Sequence, residues 1–383
     1  MTTLPRTLFN EEHEAFRELC AAFVDKECVP HADRWQEAGM VDRDVWTKAG
    51  EHGLLGTAVP TEYGGGGMPD YRFNVVMTEE IIKRHVSGPG FLVHNDVLYP
   101  YLALGTDEQK QRWMPGFCDG SIITAVAMSE PAAGSDLQGI KTTAVKQDDG
   151  SWILNGSKTF ITNGILSDLV VVFAKTDPDA GHMGFSLLVV ERGMEGFERG
   201  RNLDKIGLKD QDTAELFFDN VRVPADNLLG QEGHGFLHLM ANLPQERLAI
   251  AVVAATAVRQ VLEETARYCK EREAFGRSIG KFQHIRFELA EMATEADVCT
   301  AYVDRCIELH IDGELDHVQA AKAKWWTTEL QKRTVDRCLQ LFGGYGYMTE
   351  FPISKAFVDS RIQTIYGGTT EIMKEIIGRA MGF

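Results

Sequence analysis

The chain has 383 residues, of which 44% are hydrophobic and 25% charged, and carries a net charge of −17. That length exceeds what one hydrophobic core usually supports, so two or three packed domains are expected. The acidic balance argues against a nucleic-acid partner, because phosphate binding draws its affinity from clustered Lys and Arg.

The opening stretch MTTLPRTLFNEEHEAFRELC carries acidic residues early and no uninterrupted apolar core, unlike a secretory signal. No run approaches the ~20 apolar residues of a membrane span. A cytoplasmic protein with no membrane partner is expected. Over 1–120 the periodicity is helical: Phe16, Leu19, Phe23 and Val24 recur at helical spacing, DEQKQRWMPGF reads as another helix, and Gly64 to Gly67 as a loop.

From 121 to 228 the pattern becomes short β-branched and aromatic runs broken by Pro, Gly and Asp, with no helix between them. Antiparallel pairing as a small barrel or sandwich is the expectation, with Asn155-Gly156 as a hairpin turn. Within this region AVAMSEPAAGSD (125 to 136) runs a strand into a turn whose backbone N–H groups and two hydroxyls suit a polar ring edge or a phosphate. KTFITNG (158 to 164) sets an aromatic beside Thr162 at a strand end.

From 229 to 383 helical periodicity returns. Pro244 suits a first helical position, and Glu246, two residues on, would then face the positive end of the helix dipole. Read alone, Glu246 is a structural first-turn carboxylate. Ile285, Leu289, Met292, Ala296, Cys299, Val303 and Cys306 alternate steps of four and three, the seam of a helical bundle. REAFGRSIGKFQ (272 to 283) joins two helices and gathers local positive charge. QLFGGYGYMTEFP and TIYGGTTEIMKEI are Gly-rich turns, the second entering a helix through Thr369 and Thr370. No dinucleotide fingerprint or P-loop occurs. Seven cysteines form neither a Cys-x-x-Cys pair nor a metal spacing and read as buried thiols; no metal site is expected.

In their order and wording these motifs resemble the acyl-CoA dehydrogenase family from end to end: VPTEYGGGG, AMSEPAAGSD, KTFITNG, REAFGRSIGKFQ, QLFGGYGY and IYGGTTEI. The long-chain branch is most similar, sharing LPQERL, GIKT after SDLQ, and IYGGT-x-EIMKE. The resemblance implies an α+β fold with an N-terminal helical domain, a middle antiparallel β-domain and a C-terminal four-helix bundle. It also implies a homotetramer or dimer with FAD, an acyl-CoA substrate, and electron-transfer flavoprotein as acceptor.

Most of that family carries a glutamate base in an IYEGT turn, whereas Gly367 stands there in this chain. The long-chain and isovaleryl branches also lack it and use a glutamate at the start of the bundle helix. That position is Glu246, which the resemblance makes the base. The chemistry needs an oriented base, because the α-proton of a thioester is weakly acidic, and burial to raise an ordinary carboxyl toward working pH. The resemblance assigns flavin contacts to Val126, Ala127, Met128, Ser129 and Ser135, with Phe160, Ile161 and Thr162 covering the isoalloxazine. Arg272, Gln283, Gln340, Gly343 and Gly344 would reach the FAD of a neighbouring subunit, and Thr369 and Glu371 complete the set. Ser135, Arg247, Gly367, Gly368 and Pro100 are the implied substrate contacts. Rival readings are a branched short-chain or carrier-bound acyl dehydrogenase and, from another class, a flavin-binding protein without dehydrogenase activity.

Overall fold

The computed structural model describes residues 4–383. Six helices come first: α1 (Glu11–Phe23), α2 (Ala32–Ala38), α3 (Asp44–Glu51), α4 (Arg72–Lys83), α5 (Tyr99–Leu102) and α6 (Asp107–Asp119). α1 is closed by an Asn10 capping box and buries Phe16 and Phe23, with Leu19 left on its outer face. A π-helical segment, Val93–Leu98, leads directly into α5.

Eight strands follow: β1 (Thr124–Ala127), β2 (Thr143–Lys146), β3 (Trp152–Thr162), β4 (Leu169–Lys175), β5 (Phe185–Glu191), β6 (Phe197–Asn202), β7 (Thr213–Val223) and β8 (Leu228–Leu229). They form one sheet in the order β6-β7-β3-β2-β4-β5-β8, with β1 on β4. The expected all-antiparallel sheet is corrected on one point, since β4 pairs in parallel with both β1 and β2. Its unbroken LVVVFAK run is the sign of a strand covered on both faces, where alternation disappears. The Asn155-Gly156 hairpin is also corrected. β3 runs through it, and the pair marks a bulge against β7, with Gly156 packed against the Thr142 backbone too closely for a Cβ.

Beyond β8 the chain is helical again: α7 (Gly235–Glu271), α8 (Gln283–Ile311), α9 (His317–Phe342), α10 (Pro352–Ser360) and α11 (Thr370–Ala380). A two-residue ribbon, Glu273–Ala274 with Arg277–Ser278, links α7 to α8. The α8 seam packs as its spacing predicts, with Met292, Ala296, Cys299, Val303 and Cys306 in the bundle core. All seven cysteines are buried and free. Among the described residues no helix is long and apolar enough to cross a membrane, and no His/Cys/Asp/Glu cluster could hold a metal.

α7 ties the molecule together. Its 37 residues span about 55 Å at 1.5 Å per residue. Leu239 and Leu243 pack with the β-sheet and the N-terminal helices, whereas Leu248 to Leu262 belong to the bundle core. Pro244 lies inside this helix rather than at its start. The first-turn reading of Glu246 is therefore corrected, because the helix begins at Gly235 and no dipole terminus lies near the carboxylate. Pro244 instead removes one backbone hydrogen bond where α7 passes from one core to the other.

Candidate active site

Glu246 sits at that crossing, between Leu243 of one core and Leu248 of the next. The side chain is only partly exposed. Tyr101, at the end of α5 and 0% exposed, donates its hydroxyl to Glu246 Oε1 at 3.0 Å. Burial raises the Glu246 carboxyl from 4.5 to about 7, against the Tyr101 hydrogen bond and the Arg247 charge, which both pull it down. A carboxyl poised there exchanges a proton readily at neutral pH. Tyr101 carried no sequence signal beyond an apolar stretch, LYPYL. Pro100 opens the same helical turn and is partly buried beside Tyr101.

The turn at 367–368 approaches from the other side. Gly367 has φ +64° and Gly368 φ +102°, conformations that side-chain-bearing residues avoid. A Cβ at Gly367 would also come within 2.4 Å of Ile250 Cδ1, one helical turn beyond Glu246 on α7. Two cations hold the turn from beneath. Arg247 Nε donates to the Gly367 carbonyl at 3.3 Å, and Lys324 Nζ donates to the Gly368 carbonyl at 2.7 Å. They are 5% and 0% exposed, and among the described residues neither is ion-paired with a carboxylate. Burial lowers Lys324 to about 8, with the Arg247 charge adding to it. Arg247, expected as a substrate contact, holds the turn through this bond. In a trans peptide the N–H points opposite its carbonyl, so the Gly368 and Thr369 amides face away from the cations and are polarised by them. Such donors suit an oxygen that gains negative charge during reaction.

Lys324→Met leaves the Gly368 carbonyl unpaired, at a cost of about 1–3 kcal/mol. It should lower Tm and reduce kcat/KM roughly tenfold or more; a variant with unchanged melting and turnover rules out this role for the lysine.

A flat platform lies on β3. Phe160 adopts φ +61° at a second β3–β7 bulge, between Lys158 and Ile161, which throws its ring outward to 70% exposure. Phe160 and Thr162 line a cavity of about 340 Å³ with Ile206, Ile365 and Tyr366. Ile161 as a covering side chain is corrected, because it packs into the sheet interior, as does Ala127. Only their backbones can face a ligand. Val126, Met128 and Ser129 are partly buried, and Ser135 is exposed. Gly134 gives a test of fit: a Cβ built there would meet no protein atom within 4 Å, and its φ is not left-handed. Nothing in the chain itself requires a glycine at that point, which suits the close approach of a ligand such as a flavin.

The loop from Met128 to Thr142 is held by a lysine that the sequence did not reveal. Lys158 Nζ, fully buried, donates to the Met128 carbonyl at 2.9 Å and to Glu130 Oε1 at 3.0 Å. Glu130 in turn accepts the backbone N–H groups of Lys141 and Thr142. A lysine in a strand ordinarily reads as a solvated position, so no pattern distinguishes this one.

Arg272, Gln340, Gly343 and Gly344 come together in a separate recess of about 580 Å³ with Tyr345, over whose ring the Arg272 guanidinium lies 5.4 Å from the centroid. Gly343 and Gly344 have open space where a Cβ would stand. Gln283 lies exposed at the start of α8, outside the residues that line this recess. Thr369 caps α11, its hydroxyl accepting the Ile372 N–H, and Glu371 is exposed in the first turn.

Models of three acyl-CoA dehydrogenase domains match the chain: the N-terminal domain over residues 10–121, the middle domain over 125–221 and the C-terminal domain over 233–382. A mouse (Mus musculus) protein, long-chain specific acyl-CoA dehydrogenase, mitochondrial, is 50% identical over 98% of this chain and 87% of its own. The potato (Solanum tuberosum) isovaleryl-CoA dehydrogenase, mitochondrial, is 35% identical over 98% of this chain and 91% of its own. The crystal structure of acyl-CoA dehydrogenase from Geobacillus kaustophilus superposes with a TM-score of 0.96 at 48% identity, over 100% of both chains.

Proposed function

This chain belongs to the acyl-CoA dehydrogenase family of FAD-dependent oxidoreductases, and we propose that within it the protein desaturates medium- to long-chain acyl-CoA with Glu246 as the base. The observation that carries the reading is the pairing of positions 246 and 367. A side chain at 367 would run into Ile250, while one turn back along α7 a partly buried carboxyl stands near neutrality. Glu246 takes the proton from the substrate α-carbon. The amides of the 367–369 turn, backed by Arg247 and Lys324, hold the thioester oxygen as charge develops on it. When bound, FAD would supply the acceptor for the hydride that leaves the β-carbon, giving a trans-2-enoyl-CoA. Residues suited to hold it are the Val126–Ser129 backbone, Ser135, Phe160 and Thr162, with Thr369 and Glu371 at the head of α11.

Residues 1–120, 121–228 and 229–383 are on this reading the three domains. A second copy of the chain completes the cofactor site in a homotetramer or dimer. Phe275, 94% exposed at φ +53° in the turn of the ribbon between α7 and α8, supports that contact, since a strained and bare aromatic is costly without a partner. Electron-transfer flavoprotein is the acceptor, and the location is the cytoplasm.

The mouse protein's name favours long chains and the potato protein's a branched short one. Anaerobic mixing with saturated acyl-CoAs from butyryl to palmitoyl, beside isovaleryl-CoA, decides between them. Flavin bleaching is expected to be fastest with medium and long chains. Bleaching confined to isovaleryl-CoA rejects that chain length, and no bleaching with any thioester rejects dehydrogenation.

A further inference from the structure

We propose that Tyr101 is a positioning residue for Glu246, its buried hydroxyl fixing one carboxylate oxygen and leaving the other to take the proton. The inference rests on Glu246 being the base. Oε1 accepts from Tyr101 at 3.0 Å. Among the described residues no group bonds Oε2, and that oxygen is not among the sealed, unpartnered atoms. The two oxygens of one carboxylate are thereby made unequal.

The tyrosine is itself fully buried. Its ring lies in the core with Leu98, Leu239 and Leu243, so it is clamped by α5, the preceding π-helical segment and α7 together. Wide π-helical turns of this kind often re-aim a side chain at a working site. Burial drives the Tyr101 hydroxyl well above its ordinary ionisation, so it remains a donor throughout the working pH range. A donor to a carboxylate favours the ionised form.

The other groups facing Glu246 are few. Arg247, the next residue along α7, also favours ionisation, but its Nε is committed to the Gly367 carbonyl. Asn242, one turn earlier on α7, is uncharged and lies beside the Tyr101 hydroxyl. Tyr101 is the one direct hydrogen-bond partner of the carboxylate among the described residues. It therefore opposes burial, which would otherwise carry the base above the pH at which it must accept a proton.

The test is the pH profile of kcat/KM for the FAD-loaded enzyme. Tyr101→Phe keeps the ring and removes the donor. The acidic limb is expected to move up by about one unit, which is a loss of about tenfold below the limb. The alkaline plateau should stay within a few-fold of the parent, with flavin content unchanged. A fluorinated tyrosine incorporated at 101 keeps both ring and hydroxyl and is a stronger donor, so it must move the limb down. It also covers the case of a phenylalanine variant that does not fold. Glu246→Gln is run beside them and should abolish the limb. A limb that vanishes in Glu246→Gln but stays in place, or moves the wrong way, in the Tyr101 variants overturns the positioning role alone. A limb that persists in Glu246→Gln overturns the base, and this inference with it.

Discussion

Glu246→Gln is expected to keep its FAD and its fold while losing turnover by roughly 10²–10⁴-fold, the span that a positioned base contributes. Gln preserves the shape and still accepts from Tyr101, so the substitution isolates proton acceptance from packing. The same variant should gain stability at alkaline pH, and the sign follows from the direction of the shift. Glu246 is raised in the folded state to about 7 from an ordinary 4.5. Below 4.5 it is protonated in both states and has no effect. As pH climbs from 4.5 to 7 the unfolded chain ionises first, which favours unfolding, and above 7 the cost is constant. A neutral Gln removes it, so at pH 8 Tm should rise, while at pH 4 the two proteins should melt alike. A glutamine variant with near-parental turnover assigns the proton to another group.

Lys158→Met carries the largest expected structural effect. Removing the ammonium leaves Glu130 as a buried charge without its counterion and the Met128 carbonyl without a donor. Breaking one side of a buried pair costs about 3–5 kcal/mol, which in a chain of this size corresponds to a Tm lower by about 4–6 °C. Because the pair ties Met128 and Glu130 to β3, the loop that includes Gly134 and Ser135 should loosen with it. The variant is expected to purify with much less flavin per chain, read from the ratio of visible to ultraviolet absorbance. Lys158→Met combined with Glu130→Gln removes both charges and should recover part of the lost stability. Full flavin content in the single variant contradicts this account of the loop.

The order of helical, β and helical regions was legible because each rests on local periodicity. The α8 seam and the caps of α1 and α11 are of that kind, set by residues within a few turns of one another. The local signal misleads where a distant partner overrides it. Asn155-Gly156 has the chemistry of a hairpin, yet β7 pairs along both sides of it and makes it a bulge. Pro244 has the chemistry of a helix start, yet Leu239 and Leu243 bury against the sheet and draw the helix back to Gly235.

What the sequence by itself determined is which groups stand in the motifs: a glycine at 367 and a glutamate at 246. What only the tertiary structure decided is the surroundings that shift that glutamate's carboxyl toward neutrality. Tyr101 lies 145 positions away in sequence from Glu246, and Gly367 lies 120 from Arg247. No periodicity reaches across such separations. Desolvation and hydrogen bonding at Glu246 exist only once two cores meet along α7 and limit the access of water to the junction.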